Sequence, residues 1–331
     1  MDSWARIQRA SSGPMALVLG RRTARLCALL LPALSACASP SPAGQTREAR
    51  LIRTRGDDCA FRVCINANRS TRNVSYAAEN FAAVPATVSI SFRALTNLRP
   101  TEILPVTKTV YPGQRVTLSQ LMVVRPGRRV AARPTVTVDL GSDALEHRPS
   151  EPYAIPFGGI EPRQLSSGYG APTHQAANHY AFDFAMPEGT PVLAARGGVV
   201  VWVQDGFSEG GLDPDLIDRA NLVAVGHEDG TIASYGHLRD GLEVVVGDTV
   251  HTGQLLGWSG ATGFAGIPHL HFHVGKRLMG GMSRTIPVEF AVGGDPATLV
   301  EGEWYLPSVE WLPDSPTASG LAPGAHPPSG K

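Results

Sequence analysis

Three histidines stand at alternate positions in "GIPHLHFHV", residues 266–274: His269, His271 and His273. The chain has only 10 histidines, so three in one short stretch ask for a reason. In an extended strand alternate residues share a face. These imidazoles would then point one way while Leu270, Phe272 and Val274 pack behind them. Such an array is either the polar face of an ordinary strand or part of a metal site. Two other segments carry histidine in strand context. "HYAFDFAM" holds His179 and Asp183 four apart, an even spacing that puts both on one strand face. "SYGHL" holds Tyr235 and His237 two apart, again on a shared face. Singly each pattern is weak. Together they offer two imidazoles and a carboxylate for a metal, with imidazoles to spare, and a His₂–carboxylate set with one open position suits catalytic zinc. The other histidines read differently. "HEDGT" at 227–231 starts like a zinc-protease helix motif but has Thr231 where a second histidine belongs. His227 reads as a hairpin residue with Asp229-Gly230 as the turn. His174, His251 and His326 read as surface residues, with His174 able to line a cleft. His273 either backs the site or ends the strand in solvent.

Four segments then become specific in combination: "HYAFDFAMPEGTPVLAARGGVV", "SYGHL", "VGDTVHTGQLLGWSGATG" and "PHLHFHV". In this order they resemble the lysostaphin/LytM-type zinc metallo-endopeptidases of peptidoglycan. The resemblance implies a β-rich catalytic domain with a zinc groove, in which His179, Asp183 and His271 are the zinc ligands. It also implies that His237 and His269 are catalytic histidines that do not bind the metal. One Zn²⁺ per domain would lower the pKa of bound water to about 7. His237 and His269 would activate that water and stabilise the oxyanion. The implied partners are the stem peptides of peptidoglycan, and the implied reaction is hydrolysis of their cross-links. The rival reading is a catalytically idle regulator of a cell wall amidase, since some relatives of this type have lost ligands. All five positions are filled here, which favours the enzyme. The glycine-rich "GWSGATGFAGIP" (257–268) is expected to form one wall of the groove, where glycine lets a substrate backbone approach closely.

The elements that must position these residues are strands. Hydrophobic residues make up 43% and charged residues 18%, a globular balance. Gly (36) and Pro (27) are frequent enough to favour turns and strands over long helices. The expected class is all-β. Net charge is zero, but residues 51–150 carry 14 basic and 7 acidic side chains, and residues 151–312 carry 7 and 19. That change of sign near residue 150 marks two domains, and no nucleic-acid partner is expected. Residues 55–148 alternate in short runs such as "ATVSISFRAL" and "PTVTVDL", which predicts an immunoglobulin-like β-sandwich. Its positive charge is a solvated face or a means of staying near an anionic surface. The sandwich could also occlude the groove. Residues 146–159 read as a linker, 149–312 as the metallopeptidase domain, "DPDLIDRAN" (213–221) as a brief helix, and 313–331 as a disordered tail.

The N-terminal residues read as an address. Arg21, Arg22 and Arg25 precede the apolar "LCALLLPALSAC" (26–37), too short to span a membrane. "LSAC" resembles a bacterial lipobox. That resemblance implies a signal peptide over 1–36, cleavage before Cys37, lipidation of its thiol and a tether over 37–54. Met15 is an alternative start. Ala38 after the cysteine favours an outer-membrane lipoprotein facing the periplasm. Cys59 and Cys64 in "CAFRVC" are expected to form a disulfide in an oxidising compartment.

Overall fold

The computed structural model describes residues 58–147, 149, 151–279 and 282–308. The expected signal segment, Cys37, the tether, His326 and the C-terminal tail lie outside them.

The first part is built from β1 (Asp58–Ala60), β2 (Val63–Arg69), β3 (Asn73–Asn80), β4 (Ala86–Thr96), β5 (Leu98–Pro100), β6 (Val106–Val110), β7 (Arg115–Val123) and β8 (Ala131–Gly141). One sheet has the order β1-β2-β3-β7-β5, and β4 pairs with β6 and β8 in another. Alternation explains the packing. Val88 and Ile90 of β4 meet Val74, Tyr76 and Ala78 of β3 and Leu118 and Leu121 of β7 in one core. Cys59 lies opposite Cys64 across the β1–β2 hairpin, and the two form a disulfide. The two turn residues, Phe61 and Arg62, both have positive φ (52° and 62°), the arrangement of a tight two-residue hairpin.

The second part contains β9 (Arg163–Ser167), β10 (Phe182–Ala185), β11 (Pro191–Leu193), β12 (Gly198–Gln204), β13 (Gly210–Gly211), β14 (Asn221–Gly226), β15 (Ile232–Leu238), β16 (Thr249–Val250), β17 (Leu255–Trp258), β18 (Gly263–Phe264) and β19 (His269–Met279). Its main sheet runs β16-β12-β14-β15-β19-β10-β9. Phe182, Phe184, Tyr235, Leu270, Phe272 and Val274 fill the core behind β10, β15 and β19. Each such buried side chain contributes about 1.5–3 kcal/mol, so these three strands form a stiff platform. The whole described fold is all-β. Its helical content is confined to two short 3₁₀ turns, Ala176–Asn178 and Pro214–Leu216. The helix expected over 213–221 is therefore only a turn.

The two parts meet at a seam. Strand β19 pairs with β8 through Arg277↔Gly141 and Leu278↔Leu140. Gly141 has φ +83°, and a Cβ there would lie 2.2 Å from the Lys276 carbonyl oxygen, so the close strand approach requires glycine. Arg277 binds Asp139 through Nε and Nη2, and Asp143 through Nη1 at 3.2 Å. Phe61 at the hairpin tip packs on Trp202, centroids 5.2 Å apart. Two expectations change here. The supposed linker is part of the second core, since Tyr153, Ile155 and Phe157 are buried in it. The sandwich also does not cover the histidine end of β19. It joins that strand six residues past His271, about 20 Å away in extended chain.

Candidate metal centre

Strand pairing delivers most of the site. Asp183 on β10 lies directly opposite His271 on β19, and Gly236 on β15 flanks His271 from the other side. His271 Nδ1 sits 2.8 Å from Asp183 Oδ1. The opposite face of these strands is the aromatic core, so the alternation expected of "HLHFHV" holds along β19.

The structure brings a further histidine, His174, to Asp183 and His271 as a candidate donor, beside the His179 that the resemblance implied. His174, Asp183 and His271 each place one ligand atom within 4.8 Å of the others. His174 was expected at the surface but is 1% exposed. Its Nδ1 donates to the Gly168 carbonyl at 2.8 Å. Its Nε2 is 3.0 Å from Asp183 Oδ2. Burial alone would lower the His174 pKa, but the Asp183 carboxylate raises it. With that proton displaced, Nε2 and the carboxylate oxygen face each other in a buried site, which suits a shared cation. His179 lies outside the cluster. Strand β10 begins only at Phe182, so the four-residue parity argument does not reach back to it. His179 instead caps the 3₁₀ turn Ala176–Asn178, exposed, with its ring against Tyr180.

Burial alone would raise the Asp183 pKa, but the His174 and His271 imidazoles beside it hold its carboxyl far below the usual range. His271 Nε2 is 3.1 Å from Nδ1 of His273. His273 is buried, and burial followed by the neighbouring His271 keeps it neutral. His273 therefore backs the site rather than ending a strand in solvent. Ring nitrogens turned away from a metal characteristically bind a carbonyl or another fixed group, as both His174 and His271 do here. The donor set thus fits zinc: two imidazole nitrogens and a carboxylate, converging and oriented from behind.

His237 reaches the site by a break in its strand. Tyr235 points into the core opposite Phe272, with its hydroxyl accepting from Ala195 N at 2.8 Å. Continued alternation would bury His237 on that same face. Instead His237 takes φ +62°, and the β14–β15 register slips there, from Leu222↔Gly236 to Asn221↔Leu238. This bulge turns the imidazole to the other side, 4.6 Å from the His269 ring and 5.9 Å from His271. Tyr235 and His237 therefore do not share a face. His237 Nδ1 donates to the Thr262 carbonyl at 2.7 Å, and His269 Nδ1 to the Ile267 carbonyl at 2.8 Å. Each keeps an Nε2 lone pair, and that of His269 lies 3.9 Å from Asp183 Oδ1. Desolvation, then the adjacent His269 and His271, push the His237 pKa down to about 3. His227 closes the β14–β15 hairpin as expected, with Gly230 donating to its carbonyl, and His251 is exposed.

Part of the chain is similar to known proteins. Residues 177–282 match the model of peptidase family M23. The chain is 41% identical over 96 residues to glycyl-glycine endopeptidase ALE-1 of Staphylococcus capitis, covering 29% of this chain and 24% of that protein. It is 36% identical over 122 residues to peptidoglycan DD-endopeptidase ShyA of Vibrio cholerae, covering 36% of this chain and 26% of that protein. The chain thus spans about a quarter of the length of these relatives. Among solved structures, a mutant catalytic domain of the prophage-encoded M23 protein EnpA from Enterococcus faecalis aligns at 31% identity and TM-score 0.32, over 41% of this chain and 94% of that one. The matched segment holds His179, Asp183, His237, His269 and His271 but not His174, and over that segment the chain is similar to peptidase family M23 of the lysostaphin/LytM type.

Proposed function

We propose that this chain is a zinc-dependent endopeptidase that hydrolyses peptide cross-links of bacterial peptidoglycan. The observation that carries the reading is the convergence of His174, Asp183 and His271 beside two imidazoles with free Nε2 atoms. The names of its relatives, a glycyl-glycine endopeptidase and a peptidoglycan DD-endopeptidase, support the substrate class.

Asp183, His271 and His174 would hold the ion. Zinc, when bound, supplies a Lewis acid for the scissile carbonyl and makes water acidic near neutral pH. The protein's own groups do the rest. Backbone carbonyls fix the Nδ1–H tautomer of His237 and His269, so each presents an Nε2 acceptor. The low pKa of His237 makes it neutral before reaction, ready to take a proton from water. Once protonated, the same nitrogen can pass that proton to the leaving amine or face the developing oxyanion. The 257–268 segment anchors His237 through Thr262 and His269 through Ile267, which couples that loop to the reacting groups. The lipobox-like "LSAC" supports an envelope location with lipid on Cys37.

The test is digestion of purified sacculi by the zinc-loaded chain, followed by chromatography of the fragments. The expected result is loss of cross-linked dimers, abolished by a chelator and by His271→Ala. Intact dimers with a protein that binds zinc would favour the idle regulator instead.

A further inference from the structure

The end of the sandwich farthest from the metal centre gathers arginines. β2 ends at Arg69, the β2–β3 turn carries Arg72, β5 carries Arg99, and the β7–β8 loop carries Arg125, Arg128 and Arg129. Backbone bonds bring these segments to one pole. Val123 N donates to the Arg72 carbonyl at 2.9 Å, and Arg99 lies opposite Met122. The Asn97 amide donates to the Arg125 carbonyl at 2.8 Å, and its Oδ1 accepts from Arg125 N at 2.8 Å. All six arginines are exposed, and none joins an ion pair among the described residues.

The charge is segregated along the sandwich. Glu79, Asp139, Asp143 and Glu146 lie at the seam end, and Glu102 sits level with Ser119 in mid-strand. No acidic residue lies at the pole among the described residues. Two apolar side chains, Met122 and Val124, stand among the arginines, each 58% exposed. Guanidinium groups around a few exposed apolar side chains are what binds the headgroup region of an anionic bilayer.

The topology gives the pole a direction. β8 runs from the pole to the seam, and β19 continues antiparallel from the seam back to the histidines. Laid end to end, the two strands separate pole and site by about 60 Å. β1 pairs antiparallel with β2, with Asp58 opposite Ile65, so its N-terminal end points toward the pole.

We propose that the arginine pole docks on the anionic phosphate headgroups of a membrane and holds the metal centre away from it, toward the wall. This extends the envelope reading but is testable without it. The full chain carrying Cys37→Ser, which excludes an acyl anchor, is sedimented with phosphatidylcholine vesicles with and without phosphatidylglycerol. Binding should require phosphatidylglycerol and weaken as salt rises. Arg125→Glu/Arg128→Glu/Arg129→Glu should reduce binding at least tenfold, and the milder Arg69→Gln/Arg72→Gln severalfold. Arg115→Glu at the seam end should leave it unchanged, and all variants should keep zinc content and cleavage of soluble cross-linked peptides. Equal binding to neutral vesicles, or no vesicle binding, overturns the proposal. So does arginine-dependent binding to sacculi that vesicles do not compete away, which would make the pole a reader of wall polymer. Failure of the peptidase assay alone would leave vesicle binding intact and would count against the enzymatic reading instead.

Discussion

His174 and His179 lie five residues apart on one segment, and only one sits beside Asp183. His174 Nε2 is buried at the carboxylate with its Nδ1 anchored on Gly168, while His179 is exposed on the far side of a 3₁₀ turn. The expected outcome is that His174→Ala weakens zinc binding more than about 100-fold, beyond the loss typical of a residue behind a ligand. His179→Ala should bind zinc like the parent. Competition with a chromogenic chelator measures both directly. The opposite ranking would mean that segment 168–181 swings on metal loading and exchanges one imidazole for the other. The ligand question shows what spacing can and cannot carry. Asp183 and His271 were legible because both sit in true strands, where parity governs direction. The His179 parity argument required a strand that starts at least three residues earlier than β10 does. His174 gave one sequence signal, its nearness to the motif, and nothing in residue type separates it from a surface histidine.

At the scale of elements, the site depends on two departures from regular strand. The bulge at His237 aims the imidazole, and the 257–268 loop catches its Nδ1–H on the Thr262 carbonyl. Thr262 is itself held, with Oγ1 donating to the Leu238 carbonyl at 2.7 Å and accepting from Asn221 N at 2.9 Å. Gly263 makes the next step possible. It has φ +79°, and a Cβ there would lie 2.7 Å from both Ala220 N and Ala220 Cβ. Gly263→Ala must therefore displace backbone adjoining the carbonyl that orients His237. The expected result is a fall in kcat of about 10- to 100-fold, a part of the usual general acid–base contribution. Zinc affinity should be unchanged, because His174, Asp183 and His271 sit on other segments. Equal loss of zinc and activity would mean the loop supports the metal rather than His237. Glycine richness in this segment was visible in the sequence. The bulge was not, because "SYGHL" alternates plausibly until a positive φ at a non-glycine residue breaks it, and pattern alone cannot place such a residue.

At the scale of the molecule, the two parts share a sheet and an ion-pair cluster, which makes the sandwich a structural extension of the strand that carries the histidines. Alternation in the sequence found both sets of strands. The seam itself was hidden. Its contacts join residues far apart in the chain, such as Arg277 with Asp139, and the acidic partners belong to the otherwise basic half. Asp139 is 4% exposed, and Arg277 satisfies it through two nitrogens while also holding Asp143. Burial alone would lower the Arg277 pKa, but these carboxylates raise it, so the guanidinium stays charged. Removing the guanidinium leaves a buried carboxylate without its cation, at a cost of about 3 kcal/mol. Arg277→Ala should therefore lower the melting temperature and divide one calorimetric transition into two, the sandwich and the histidine-bearing part unfolding separately. Asp139→Asn with Arg277→Leu, which removes both charges, should recover much of the loss. A single transition in Arg277→Ala at the parent temperature would mean that the Phe61–Trp202 contact and the β8–β19 pairing hold the seam without the ion pair. The sandwich would then be fastened to the histidine-bearing strand by backbone and aromatic packing alone.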